Sequence, residues 1–194
     1  MKQGASRHAL VDRANDFYET PREATLALLR NEPFSGVIWE PCAGRGAISR
    51  ELEAAGHTVV KQDLVSWPEA DNEIKTPIDF LMEQVAPSGC SCIVTNPPYK
   101  LSDEFIRHGL SLVGKVVVLL RLMALEGAKR SDLIDSHLVR VWAGIERLPM
   151  MHRYGWEGRK NGNSGAPFAW FVFEAAPRGV RPIELRRISW RNGA

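Results

Sequence analysis

Val37-Ile38-Trp39-Glu40-Pro41-Cys42-Ala43-Gly44-Arg45-Gly46 is a short apolar run that gives way to a turn carrying two glycines. Residues 47–55 then show the apolar spacing of a helix, and Gly56 closes it as a residue suited to a left-handed C-terminal cap. His57-Thr58-Val59-Val60-Lys61-Gln62 predicts a second strand, ending at Asp63. Strand, glycine turn, helix and strand form the unit of a parallel sheet, because parallel neighbours need a crossover and the helix supplies it. The pattern continues outward. Strands are predicted at Ser91-Cys92-Ile93-Val94-Thr95 and over 115–120, 139–142 and 168–173. This alternation predicts an α/β fold, a doubly wound and mostly parallel sheet covered on both faces. The last two strands have little helix between them and are expected to pair antiparallel at one edge.

With 194 residues the chain has the size of one domain, and 44% hydrophobic with 25% charged residues is the balance of a globular protein. No apolar run approaches the roughly 18 residues of a membrane span, and the N-terminal stretch lacks the apolar segment of a secretory signal. No membrane partner is expected, and the chain reads as cytoplasmic. Cys42, Cys90 and Cys92 make an odd set without metal-ligand spacing, which fits a reduced compartment and predicts no metal site. The net charge of +2 is unevenly spread: from Ile145 onward nine Lys/Arg face four Glu, giving +5 there and −3 over the rest. A basic C-terminal quarter suits a polyanionic partner. The glycine-rich stretch 150–166 carries no periodic pattern and is expected to be a loop over the site.

Two constellations carry the chemistry. Gly44 and Gly46 let a ligand approach the backbone at the carboxyl edge of the sheet, and Asp63, 17 residues after Gly46, can take the two hydroxyls of a ribose. That pairing is open between a nicotinamide cofactor and S-adenosylmethionine. Asn96-Pro97-Pro98-Tyr99, at the end of the 91–95 strand, narrows it. Asn96 offers a side-chain acceptor, the paired prolines leave backbone carbonyls free, and Tyr99 offers a flat face for a base. An exocyclic amine is a poor nucleophile because its lone pair is delocalised into the ring. Two acceptors aimed at its hydrogens favour the pyramidal nitrogen that can attack a methyl group.

Asn96-Pro97-Pro98-Tyr99 resembles the catalytic motif of amino-methyltransferases, and Glu40-Pro41-Cys42-Ala43-Gly44-Arg45-Gly46 resembles their cofactor motif. Phe17-Tyr18-Glu19-Thr20-Pro21 is a third match. Physically, Thr20, Pro21 and Glu23 predict N-cap, first helical residue and capping-box partner of a helix running to Leu29. In the family this turn contacts the methionine carboxylate of the cofactor. Asp79-Phe80 resembles the element in which Asp accepts from the cofactor adenine amine and Phe packs on its ring. The motif order is similar to that of the gamma group of DNA adenine-N6 methyltransferases, especially small phage and prophage enzymes, over roughly residues 15–175. The resemblance implies a class I, Rossmann-like, seven-stranded sheet binding S-adenosylmethionine, with Tyr18, Thr20, Pro21, Glu40, Pro41, Cys42, Gly44, Gly46, Asp63, Leu64, Asp79, Phe80 and Asn96 at the cofactor. Asn96, Pro97, Pro98 and Tyr99 would be catalytic, with Tyr99 stacking on a flipped adenine and Trp156 covering its other face.

Gamma enzymes usually carry a separate target-recognition domain, and this sequence reads as a single methyltransferase domain over 1–194 without one. DNA is the expected partner, ahead of RNA. The alternatives are an RNA adenine-N6 methyltransferase, a protein glutamine N5-methyltransferase sharing Asn-Pro-Pro-Tyr, and a non-catalytic binding subunit that keeps the fold.

Overall fold

The computed structural model describes residues 18–148 and 165–191. Among these residues four α-helices, α1 (Arg22–Asn31), α2 (Ala47–Ala54), α3 (Ser102–Leu112) and α4 (Ser131–His137), surround seven strands. These are β1 (Val37–Glu40), β2 (Val59–Lys61), β3 (Cys90–Thr95), β4 (Lys115–Arg121), β5 (Leu138–Gly144), β6 (Phe168–Glu174) and β7 (Glu184–Ile188). The strand order is β2-β1-β3-β4-β6-β5-β7. All neighbours run parallel except β6, which is antiparallel to both β4 and β5. The doubly wound, mostly parallel sheet is as expected, and β5 and β6 form the antiparallel pair at the expected end. The reversed strand β6 is flanked on both sides, and β7 lies outermost.

The alternation of each strand divides the core into two layers. Ile38, Val117 and Trp170 face one side, where Ala24 and Leu28 of α1 and Ile48 and Leu52 of α2 cover them. Trp39, Val118 and Phe171 face the other, under Phe105 and Ile106 of α3 and Leu133 of α4. α2 ends as its sequence predicts: Gly56 takes φ 91°, Gly56 N donates to Glu53 O and His57 N to Leu52 O, the two bonds of a Schellman cap.

The sequence reading missed β7. Its central residues Leu185, Arg186 and Arg187 are exposed, and a short, charged outer strand carries little hydrophobic signal. Arg186 pairs with Glu184 (3.1 Å) and lies over the Trp142 ring at 5.7 Å, so part of the C-terminal basic charge serves the sheet edge.

Two buried charges brace opposite ends of the strands. At the amino edge, the Glu32 side chain is 1% exposed and receives Lys115, Arg140 and the Trp142 indole. Lys61 Nζ, at the end of β2, meets Glu53 (2.9 Å), Asp71 (2.7 Å) and Glu73 (2.7 Å). Burial opposes the Lys61 charge, but the three carboxylates hold its pKa well above the ordinary lysine range. Lys61→Met is expected to cost about 1–2 kcal/mol, because the partners are more exposed than Lys61 and can rehydrate. Denaturant melts of the variant check this. The same change frees the 64–74 segment, so cofactor affinity should weaken with it.

Candidate active site

The chain leaves β1 toward β2 on one side and returns to β3 on the other, so the carboxyl ends of β1 and β3 face a topological switch point. There a cleft of about 430 Å³ opens. Its walls include Tyr18, Thr20, Glu40, Pro41, Cys42, Gly44, Asp63, Leu64, Asp79, Phe80, Asn96 and Pro98. Residues from five separate stretches of sequence thus meet in one cavity. Pro21, Gly46, Pro97 and Tyr99 stand beside it and not in its wall. Phe17 and Trp156, and most of the 150–166 stretch, lie outside the described residues.

The glycine turn is built as its sequence requires. Gly44 and Gly46 take φ 58° and 84°, the left-handed region that side chains disfavour, and Gly46 caps α2. A Cβ on Gly46 would also meet Ser49 Oγ at 3.3 Å. Asp63 fixes the turn from the neighbouring strand: its Oδ2 accepts from Gly44 N (2.7 Å), and its Oδ1 from Val65 N (2.8 Å) and Trp67 Nε1 (3.2 Å). Burial pushes the Asp63 carboxyl up against these donors. Asp63→Asn is expected to break this arrangement, because an amide presents only one acceptor oxygen to N–H groups on both sides. Hydrogen bonds to charged groups contribute about 1.5–3 kcal/mol each, so both melting temperature and cofactor affinity should fall, read by thermal melts and calorimetric titration.

Glu40 is 1% exposed at the end of β1, and burial, with Asp63 nearby, drives its carboxyl well above the carboxylate range. Burial likewise raises the Cys42 thiol. Asp79 caps its own short turn by accepting from Leu81 N (3.0 Å). Phe80 packs edge-on against Trp39, with ring centroids 5.1 Å apart, and forms the floor beside Phe105. Glu19, Asp63 and Asp79 stand with two cations, Arg45 and Lys100, around the cleft, while burial favours the neutral acid form of Glu40.

The turn before α1 differs from expectation. Pro21 is the N-cap of α1 and no side chain caps the helix; Thr20 lies one residue earlier. Its hydroxyl instead accepts from Asn96 Nδ2 (3.1 Å), which also donates to Tyr18 O (2.9 Å). The Thr20 Oγ1 is engaged by the Asn-Pro-Pro-Tyr segment, and Ala24 N finds the Pro21 carbonyl. Both Asn96 amide hydrogens are thereby occupied, which fixes the orientation of the group. Its Oδ1 is buried and accepts no hydrogen bond from any described residue. An unmatched buried acceptor is costly unless a ligand supplies the donor.

Tyr99, at the start of the turn into α3, stacks near Tyr18 (centroids 5.8 Å, 25° between planes). Phe168 approaches it at 6.0 Å and Arg121 lies over its ring at 5.4 Å. Among the described residues no group of three or more metal-ligating side chains gathers, and no helix is long and apolar enough to cross a membrane.

Neither a family model nor a curated protein matches this sequence. Solved structures do. A protein from Pyrococcus horikoshii, provisionally described as an RNA methyltransferase, aligns over 84% of this chain and 89% of its own with a TM-score of 0.59 at 12% identity. A Listeria monocytogenes protein provisionally described as a class I S-adenosylmethionine-dependent methyltransferase aligns over 85% of this chain and 62% of its own (TM-score 0.53, 13% identity). Mtq2 of E. cuniculi, solved with Trm112 and responsible for methylation of the termination factor eRF1, covers 82% of this chain and 98% of its own (TM-score 0.54, 16% identity). The chain has the class I methyltransferase fold.

Within that fold the sequence reading overlooked several residues of the site. Trp67 braces Asp63 from a Ser-Trp-Pro stretch that reads as plain loop, and only its position four residues after Asp63 hints at a role. Phe168 reads as the first residue of a buried strand, and its contact with Tyr99 depends on the antiparallel return of β6.

Proposed function

We propose that this protein is an S-adenosylmethionine-dependent methyltransferase acting on the exocyclic N6 amine of adenine in DNA. The observation that carries the reading is Asn96: its amide hydrogens are held by Tyr18 and Thr20, and its buried Oδ1 is left without a described donor beside an acid-lined cleft. The residues fit the cofactor. Gly44 and Gly46 open the backbone, Asp63, which already braces the glycine turn, is assigned to the ribose, and Asp79 with Phe80 to the adenine. The Thr20–Pro21 turn supplies the contact for the methionine end. When bound, S-adenosylmethionine supplies an electrophilic methyl group.

The chain's own residues hold the acceptor. Asn96 Oδ1 accepts from one N–H of the target amine and the Pro97 carbonyl from the other. Tyr99 stacks on the base, which has left its helix at a cost of a few kcal/mol. The rate then comes from positioning and fixed dipoles, with no strongly basic residue required, because the amine proton becomes acidic once the new bond forms.

A protein glutamine amide is the second reading: it is also a planar amine, and Mtq2 shares the fold. Calorimetric titration with S-adenosylmethionine and S-adenosylhomocysteine, followed by transfer of labelled methyl to DNA, RNA or a glutamine-containing release factor, tests these readings together. Binding without transfer to any of the three would favour a non-catalytic subunit.

A further inference from the structure

We infer that Lys100 and Arg121 form a subsite for a phosphodiester flanking the target nucleotide. The substrate is then a base presented on a polyanionic strand rather than a protein side chain. This rests on the assignment of Asn96 and Tyr99 to the target. The observation behind it is where two cations without an ion pair stand. Arg22, Arg107, Arg130 and Arg140 have carboxylate partners in Glu51, Asp132, Asp103 and Glu32. Arg187 on the outer strand is, like Arg121, exposed and without an ion pair to a described residue, so it is the position beside Tyr99 that distinguishes Arg121. Arg121 has neither an ion pair nor a hydrogen bond to a described residue, although it is exposed and free to reach one. It ends β4 opposite Phe168, and its guanidinium lies 5.4 Å from the centre of the Tyr99 ring. Lys100 follows Tyr99, is exposed, lines the cleft and makes no ion pair with a described residue. Asp103, three positions on, is taken by Arg130 at 3.2 Å.

One cation therefore lies over the ring assigned to the base, and a second follows it in sequence at the cleft, neither ion-paired to a described residue. An aromatic face orients a guanidinium while leaving its N–H edges outward, the arrangement that suits a phosphate. A neutral glutamine amide needs neither charge. Contacts of this kind set the register of a strand without reading its sequence.

The test is the salt dependence of binding to an adenine-containing single-stranded DNA oligonucleotide. Wild type, Lys100→Gln, Arg121→Gln, the double variant and Arg121→Lys are compared, with S-adenosylmethionine titrations and melts on the same samples. Each Gln variant should flatten the slope of log affinity against log salt by about 0.7, and the double variant by about 1.4. Arg121→Lys should keep the wild-type slope, melting temperature should hold in all, and cofactor affinity should hold in both Arg121 variants. An unchanged slope in the double variant overturns the subsite while leaving the proposed function standing. Lost cofactor affinity with an unchanged slope would assign Lys100 to the cofactor and equally overturn it. Wild type that binds no nucleic acid but methylates a protein amide overturns the nucleic-acid reading and the subsite together. Binding confined to RNA, with the same loss of slope, keeps the subsite and changes only the strand.

Discussion

Asn96→Ala is expected to lower methyl transfer by about 10²–10³-fold, the usual cost of removing one fixed hydrogen-bonding group from a reacting centre. The side chain does two things at once. Its Oδ1 is the acceptor offered to the target amine, and its Nδ2 ties down Tyr18 O and Thr20 Oγ1. The variant should therefore also bind S-adenosylmethionine more weakly, because the turn assigned to the methionine end loses its anchor. The second loss should be much smaller, on the order of one or two neutral hydrogen bonds at about 0.5–1.5 kcal/mol each. Single-turnover rates at saturating cofactor, beside calorimetric affinities, separate the two effects. Equal losses in rate and affinity would make Asn96 a brace for the turn and nothing more.

Glu32→Ala should produce the largest loss of stability. The carboxylate is buried at the amino edge of the sheet, far along the strands from the cleft, and its removal strands Lys115, Arg140 and the Trp142 N–H. Breaking a buried pair commonly costs about 3–5 kcal/mol. The lower end, about 3, applies here because Lys115 also donates to Pro33 O and Arg140 also reaches Glu184. For a chain of this size that corresponds to a melting temperature lower by about 6–12 °C. The effect should depend on pH. Burial alone raises the Glu32 carboxyl, but the hydrogen bonds from Lys115, Trp142 and Arg140 outweigh it and hold the group below its ordinary 4.5. A carboxylate depressed on folding stabilises fully above its unfolded pKa, and that stabilisation is lost as pH falls through the folded value. The gap between wild type and variant should be constant near neutrality and shrink below about pH 4.5. A gap independent of pH would mean that packing, not charge, carries the effect.

The sequence makes the path from β1 to Asp63 legible because each step is local. Gly44, Gly46 and Gly56 sit where positive φ is needed, and the strands between them are apolar and short. The Asn96 motif is legible for the same reason, as four adjacent residues after a buried strand. What escaped depends on contacts remote in sequence. Thr20 has every local mark of a helix cap, yet its hydroxyl serves Asn96, 76 residues away. Phe168 joins the site only through the antiparallel return of its strand, Trp67 turns back on Asp63 from a loop without a periodic pattern, and β7 hides behind charged outer side chains. The Glu32 cluster joins residues more than 80 positions apart through a carboxylate that reads, in sequence, as one more surface charge at a helix end.

The most direct test of the account is nucleoside mass spectrometry after incubation of the protein with DNA and isotopically labelled S-adenosylmethionine. The account predicts labelled N6-methyl-2′-deoxyadenosine with wild type and its near-absence with Asn96→Ala. Label found only in RNA nucleosides or in a glutamine side chain, or equal label with both proteins, would contradict it.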